Sequence, residues 1–358
     1  MTVEPAPYLP PPTRCESLAA IVGRFGGSTR MKPDIPPIDL GGPAQATEEV
    51  RAFLRRPETT PPPTQSVAGL PNGRVFGAGV VLAPDGRSIA RDVSLDFGHP
   101  DDTHWLLNDK KIRPPQVLAG RTAVIASTLG GGYCHWLLDE LPRLLSLKKT
   151  EGASALIAHS AAECSRTALQ LFGWTGALIE PARRGHWQSE ELIVPSLPGW
   201  TGRATAPQIQ MIREFVEPLQ AKATVAGERI YISRMLARRR RVTNDAAVIA
   251  ELAGHGFVEV KLEELSWEEQ IAVFRYAKVV VAPHGAGLAN LAFCERGTRV
   301  IEFFGRAYLN GCFWQIAALR GLHYQPLVPV GSEPLSQNPK NNRLDITVDL
   351  EQLRAALT

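Results

Sequence analysis

From about Arg121 onward, short apolar runs alternate with stretches whose apolar residues recur at helical spacing. Thr122 to Ser127 reads as a strand, and Gly130-Gly131-Gly132 leads out of it into a helix over Tyr133 to Lys148. Ala155 to Ala158 is a second strand, Ala161 to Phe172 a helix, and Glu191 to Val194 a strand stopped at Pro195. Pro207 to Ala221 reads as a bridging helix. The pattern is then clearest. Arg229 to Ser233 is a strand, and Asn244 caps a helix reaching Ala253, which Gly254 and Gly256 end. Phe257 to Leu262, Val279 to Ala282 and Thr298 to Phe303 come next as strands. Ser266 with Glu269 makes a capping box for a helix to Ala277, and Leu350 to Leu357 reads as a closing helix. Strands alternating with helices of this length call for right-handed crossovers and a parallel sheet, hence an α/β fold.

The earlier part of the chain reads differently. Residues 1–70 are proline-rich, with Pro10 to Pro12, Pro36-Pro37 and Pro61 to Pro63, which favours an extended or irregular arm. Ala44 to Arg55 interrupts it as a short helical piece. Arg74 to Leu82 and Ser88 to Asp96 are strand-like runs about Asp85-Gly86, a hairpin signal. The expected division is an arm over 1–70, one lobe over 71–205, a second over 206–335 and a tail over 336–358.

Bulk properties narrow the function classes. A chain of 358 residues exceeds the usual size of one domain, and 44% hydrophobic with 21% charged residues is ordinary globular composition. A net charge of +3 implies no wholesale nucleic-acid binding. The five cysteines are scattered and include no C-x-x-C pair, which argues against a disulfide framework and a zinc knuckle. The start shows no basic segment followed by an apolar one, and no run of about 18 apolar residues occurs. The expectation is a cytoplasmic protein; peripheral attachment at the inner face of a membrane would leave no clear trace. Oligomeric state is open.

Ligands of open parallel sheets sit beyond the carboxyl ends of the strands. Three segments fall there. Pro283-His284-Gly285-Ala286-Gly287-Leu288-Ala289-Asn290 follows an apolar strand and opens a helix. Its glycines admit close backbone approach, and the helix start favours an anion such as diphosphate. An imidazole at His284 would add a hydrogen bond. The G-x-G-x-x-G spacing of dinucleotide sites is absent, which disfavours a nicotinamide cofactor. The second segment is Ile232-Ser233-Arg234, where an arginine at a strand end can clamp phosphate; the run Arg238 to Arg241 reads more readily as a solvated loop. Glu302, alone in an apolar strand, is either a satisfied structural acid or a partner for ribose hydroxyls. The third segment places His135, Asp139 and Arg143 four residues apart on one helical face beside Trp136. The bland reading is a surface stripe. The sharper one is a carboxylate acting as general base, with His135 or Arg143 tuning it or holding substrate.

Together, Tyr133 to Arg143, Ile232-Ser233-Arg234, Leu265-Ser266-Trp267-Glu268-Glu269-Gln270, and Pro283 to Leu288 with Val300-Ile301-Glu302 resemble glycosyltransferase family 61. That group includes plant and bacterial sugar transferases and capsular polysaccharide biosynthesis proteins. Order and spacing fit over about residues 120–305. The resemblance implies a GT-B architecture of two Rossmann-like lobes. It implies an inverting transfer, without bound metal or other cofactor, from a nucleotide-sugar donor to a glycan or glycolipid acceptor. Asp139 is then the expected base, with His135 as fallback, and Trp136 and Arg143 lie on the acceptor side. Ser233, Arg234, His284, Gly285, Ala286 and Gly287 are the expected diphosphate site, and Glu302 and Asn290 serve the nucleoside. Two rival readings remain: a metal hydrolase using His135, Asp139 and His284, and a non-catalytic nucleotide-sugar-binding protein. Loops at Trp200 to Arg203 and Ala307 to Trp314 are candidates for setting specificity.

Overall fold

A computed structural model describes residues 8–33, 40–55, 64–96, 99–100, 102–148, 152–219 and 227–358. Of the expected features, Pro36-Pro37, Pro61 to Pro63 and the end of the bridging helix at Gln220-Ala221 lie outside these residues. The chain forms two compact units, one of Met1–Pro36 with Pro62–Gly202 and one of Pro37–Pro61 with Arg203–Thr358.

The first unit is built on a mixed sheet. Its strands are β1 (Arg14–Glu16), β2 (Ser28–Met31), β3 (Ser66–Pro71), β4 (Arg74–Phe76), β5 (Val80–Leu82), β6 (Ser88–Ala90), β7 (Gln116–Val124), β8 (Ala155–Ile157), β9 (Ala177–Ile179) and β10 (His186–Pro195). Strands β10, β7, β8 and β9 run parallel in that order. The other edge of β10 takes β4 and β3, both antiparallel. The expected hairpin forms between β5 and β6 over the Asp85-Gly86 turn, where Gly86 has φ +73°. The run from Arg74 to Leu82 is two strands, because Gly77 and Gly79 turn the backbone with positive φ.

Much of the proline-rich beginning is ordered rather than irregular. Ser17 caps the helix Leu18–Arg24, whose Leu18, Ile21 and Val22 are buried in the core with Leu70, Val81 and Val124. The physical reason is amphipathicity: three buried apolar side chains on a two-turn helix outweigh the neighbouring prolines. The helical piece near residue 50 is Glu48–Leu54, capped by Thr47, and its Val50 and Leu54 join a cluster with Phe304 and Leu309 in the second unit.

The second unit follows the expected alternation closely. Its strands are β11 (Arg229–Ile232), β12 (Val258–Val260), β13 (Val279–Pro283), β14 (Arg299–Phe303) and β15 (His323–Leu327). All pairings are parallel, in the order β12-β11-β13-β14-β15. The chain crosses to one side of β11 and then returns to the other, so the switch of direction falls between β11 and β13. Both halves of the Ser266–Glu269 capping box form and open the helix Trp267–Tyr276. Asn244 differs from expectation, since its side chain bonds Val348 rather than capping its own helix. No helix among the described residues is long and apolar enough to cross a membrane.

Candidate functional site

Each unit carries a cluster of polar side chains beyond the carboxyl ends of its parallel strands, and each cluster is described on its own.

In the first unit the segment after the three glycines is not one continuous α-helix. Tyr133–His135 is helical, Trp136–Glu140 forms a π-turn, and Leu141–Ser146 resumes the α-helix. Pro142 lacks the N–H that an α-helix would need there, which favours a break at this place. A π-turn inserts an extra residue into the ladder and rotates the later turns of the helix about its axis. The three expected side chains therefore part company. His135 and Asp139 face each other, with Nδ1 to Oδ2 at 2.9 Å. Thr201 donates its hydroxyl to the same Oδ2 at 2.6 Å, and Gly202 N–H donates to Oδ1 at 3.1 Å. Asp139 is 1% exposed and has both oxygens occupied, whereas the His135 side chain keeps 27% of its surface. Gly202 has φ +67°, and a Cβ there would approach His135 Cε1 to 3.0 Å, so the turn at Thr201-Gly202 requires glycine.

Arg143 points the other way. Expected on the acceptor side, it is instead sealed, donating to the carbonyls of Pro195, Ile125 and Ala126 at 2.9–3.0 Å. Burial pulls its pKa down to about 10. It ties the helix to the ends of β7 and β10 and is structural. Trp136 is also buried, its ring stacked on Tyr133.

A second histidine–carboxylate pair sits beside the first, and sequence reasoning missed it. Glu140, fully buried, accepts from Ser127 N–H at 2.7 Å and pairs with His159 Nδ1 at 2.8 Å. Desolvation is the largest single influence on His159 and opposes its charge, but the bond to Glu140 and the charges of Glu140 and Glu180 together outweigh it and raise the pKa. The signal was present as a histidine directly after an apolar strand. Gly130 is required by this pair, since a Cβ there would fall 1.6 Å from Glu140 Oε1.

In the second unit, Arg234 leaves the end of β11 and His284 the end of β13, which puts them at the switch of strand order where open parallel sheets bind ligands. A Cβ on Gly285 would lie 2.0 Å from Arg234 Nη1, so the guanidinium rests directly on the bare backbone of the turn. Arg234 donates from Nη2 to the carbonyl of Arg239, while its buried Nε has no partner. No carboxylate pairs with it among the described residues. Desolvation first, and then the charge of Arg240, lowers its pKa to about 10. The hydroxyl of Ser233 is likewise buried without a partner. Gly287 is needed for packing, because a Cβ there would meet Leu262 Cδ1 at 2.4 Å. The turn opens a 3-10 helix, Ala286–Phe293, with Gly285 at its N-cap and no side-chain cap, so the N–H groups of this first turn lie at the helix start, where the helix supplies no carbonyl to them. A guanidinium and free amides together suit an anion.

His284 is packed among Phe304, Tyr308 and Phe313. Its Nδ1 lies 2.5 Å from Glu302 Oε1, and Tyr324 donates its hydroxyl to Oε2. Glu302 is thus fully buried with both oxygens engaged, and it is the structural acid of the two readings rather than a ribose ligand. Asn290 is also withdrawn from any nucleoside: it is fully buried and donates to Gln270 at 3.1 Å. Arg240, read as part of a solvated run, is held inside. It adopts φ +55° and donates to the carbonyl of His284 at 2.9 Å and to that of Asn342 at 2.6 Å. Both loops singled out for specificity support these clusters: Thr201-Gly202 holds Asp139, and Tyr308 and Phe313 enclose His284.

The three histidine–carboxylate pairs are separate dyads; no group of three or more His, Cys, Asp or Glu side chains suited to a metal is gathered among the described residues.

Residues 133–301 match the family model described as Glycosyltransferase 61, from the first turn of the His135 helix into β14. A curated relative, the EGF domain-specific O-linked N-acetylglucosamine transferase of Drosophila melanogaster, is 30% identical over 98 residues. That match spans 26% of this chain and 18% of the relative. The matched region contains the His135–Asp139 dyad and the Arg234–Gly285 turn, and over residues 133–301 the chain is similar to glycosyltransferase family 61.

Proposed function

We propose that the protein is an inverting glycosyltransferase that moves a sugar from a nucleotide-sugar donor to a hydroxyl of a glycan or glycolipid acceptor. A GT-B pairing of an acceptor lobe with a donor lobe, action without a metal, and a place in bacterial-type surface polysaccharide synthesis at the cytoplasmic face of a membrane are part of the proposal. The observation that carries it is the His135–Asp139 dyad, an accessible imidazole whose Nδ1 is held by a sealed carboxylate.

In this reading the two expected roles are exchanged. Both oxygens of Asp139 are engaged, which supports His135 as the base and Asp139 as the group that fixes its tautomer and stabilises the imidazolium. With Nδ1–H directed at Asp139, His135 Nε2 takes the proton of the acceptor hydroxyl. The hydroxyl oxygen forms the new bond to the anomeric carbon on the face opposite the diphosphate. The bond from that carbon to the diphosphate oxygen breaks, and its electron pair leaves with the nucleotide. Negative charge grows on the departing group, where Arg234, the Gly285 to Gly287 amides and His284 stabilise it.

The sugar to try first is N-acetylglucosamine, since the Drosophila relative is named as an N-acetylglucosamine transferase. A thermal-shift screen with UDP-, GDP-, CMP- and dTDP-sugars tests the reading. A rise in melting temperature with one nucleotide class is the expected result; no response to any of them overturns it.

A further inference from the structure

Glu302 makes two hydrogen bonds in a fully buried place, one with His284 Nδ1 and one from the Tyr324 hydroxyl. An ionised carboxylate only accepts, so both neighbours must donate to it. His284 Nδ1 therefore carries the hydrogen, and a neutral imidazole has no second one to give. Its Nε2 then presents a lone pair, and the ring's one side-chain hydrogen bond among the described residues is the Nδ1 contact to Glu302. A lone pair repels phosphate oxygens. Beside the diphosphate site formed by Arg234 and the Gly285 turn, His284 becomes a donor at Nε2 only as the imidazolium.

We propose that capture of a diphosphate by the second unit takes up one proton at His284, and that Glu302 and Tyr324 are positioning residues which impose this coupling. The inference rests on reading the Arg234–Gly285 cluster as the diphosphate site. Every charged or titratable group facing His284 bears on it. Glu302 on β14 favours the imidazolium; Tyr324 on β15 weakens that help by donating to the same carboxylate; Arg240 and Arg234 disfavour it. Tyr308 packs its ring 5.7 Å from that of His284. In the free protein, desolvation comes first and the two guanidinium charges add to it, so the pKa of His284 lies below the usual histidine value. A bound diphosphate cancels the charge of the arginines and accepts from Nε2, which moves the pKa up. Between the two values one proton is bound with the ligand. Affinity then tightens by up to about tenfold for each pH unit lowered through that window, and is flat below the free-state pKa.

Calorimetric titration of the full chain with inorganic pyrophosphate, near neutral pH in buffers of different ionisation enthalpy, counts the protons. The native chain should take up close to one proton more than the His284→Gln variant, in which the ligand's own protonation is the same. Glu302→Gln should lose most of that extra uptake and bind at least about tenfold more weakly. Tyr324→Phe should move the window to higher pH, because Glu302 then supports His284 more strongly; a merely structural role would not shift it upward. The imidazole ¹⁵N spectrum of the native chain gives the same answer without a variant, since the Nε2 resonance of His284 should change from unprotonated to protonated as pyrophosphate saturates. Equal uptake by native and His284→Gln chains that both bind pyrophosphate overturns the coupling and leaves the diphosphate site standing. Failure of the native chain to bind pyrophosphate overturns both.

Discussion

Replacing Asp139 by asparagine separates the two assignments of the base. The carboxylate now receives His135 Nδ1 at 2.9 Å and Thr201 at 2.6 Å on one oxygen, and Gly202 N–H at 3.1 Å on the other. Asparagine fills the same volume but keeps only one acceptor. If its oxygen stays on Gly202, its NH₂ faces the Nδ1–H of His135, donor against donor. The ring relieves the clash by moving its hydrogen to Nε2, the atom that must take the acceptor's proton. Loss of a general base typically costs about 10²–10⁴ in rate, or roughly 3–5 kcal/mol of barrier. Loss of the charged acceptor costs about 1.5–3 kcal/mol of stability, too little to unfold a domain of ordinary stability. Sugar transfer to acceptor should therefore fall by that factor while donor binding, measured calorimetrically, is unchanged. His135→Gln should match it in rate, and the double variant should be hardly slower than either single one, because the pair works as a unit. Near-normal turnover in Asp139→Asn, or additive losses in the double variant, refutes the dyad.

Other consequences are independent of turnover. Arg143→Met keeps the bulk of the stem but strands three buried carbonyls, so denaturant unfolding should show a loss of about 3–5 kcal/mol, the range for breaking a buried charged network. Gly285→Ala is compatible with its extended backbone (φ −177°) yet sets a Cβ on Arg234 Nη1; the fold should survive, and pyrophosphate affinity should drop by at least about tenfold, one charge-assisted hydrogen bond. Histidine titrations give two opposite pH signatures. His104 is buried with its pKa lowered to about 4 by desolvation, so the unfolded chain takes its proton first as pH falls. Stability is then lost between the ordinary histidine value and about pH 4, by roughly 3 kcal/mol, and His104→Gln should flatten that limb of a urea-midpoint profile. His159 has a raised pKa beside Glu140, so its contribution is complete below the unfolded value and fades as pH rises through the folded one. The stability gap between native and Glu140→Gln chains should narrow as pH rises from the ordinary histidine value through the raised one; a constant gap would mean that the pair is not ionised.

The second unit was legible in the sequence because its signals are local. Apolar runs of strand length, the Ser266–Glu269 box and glycines after strands each act within a few residues, and they place Arg234 and His284 at strand ends without knowledge of strand order. The mixed half of the first unit was not legible in the same way. Short strands such as β1 and β2 leave almost no periodic trace, and β1 is recruited by pairing with β6 some seventy residues later.

Residue chemistry by itself pointed to His135, Asp139, His284 and Glu302 but not to His159, and the spacing of His135 and Asp139 was enough to pair them. Tertiary structure decided what each could do. A side chain's role depends on what occupies its remaining hydrogen-bonding positions, and those partners come from distant segments: Thr201 and Gly202 close Asp139, Tyr324 closes Glu302, Gln270 withdraws Asn290, and the ends of β7 and β10 consume Arg143. The π-turn, which sends Arg143 away from the face of His135 and Asp139, is a property of packing as much as of Pro142. Desolvation, the largest influence on Arg234 and His284, is likewise set by the whole fold and has no signature in a local string of residues.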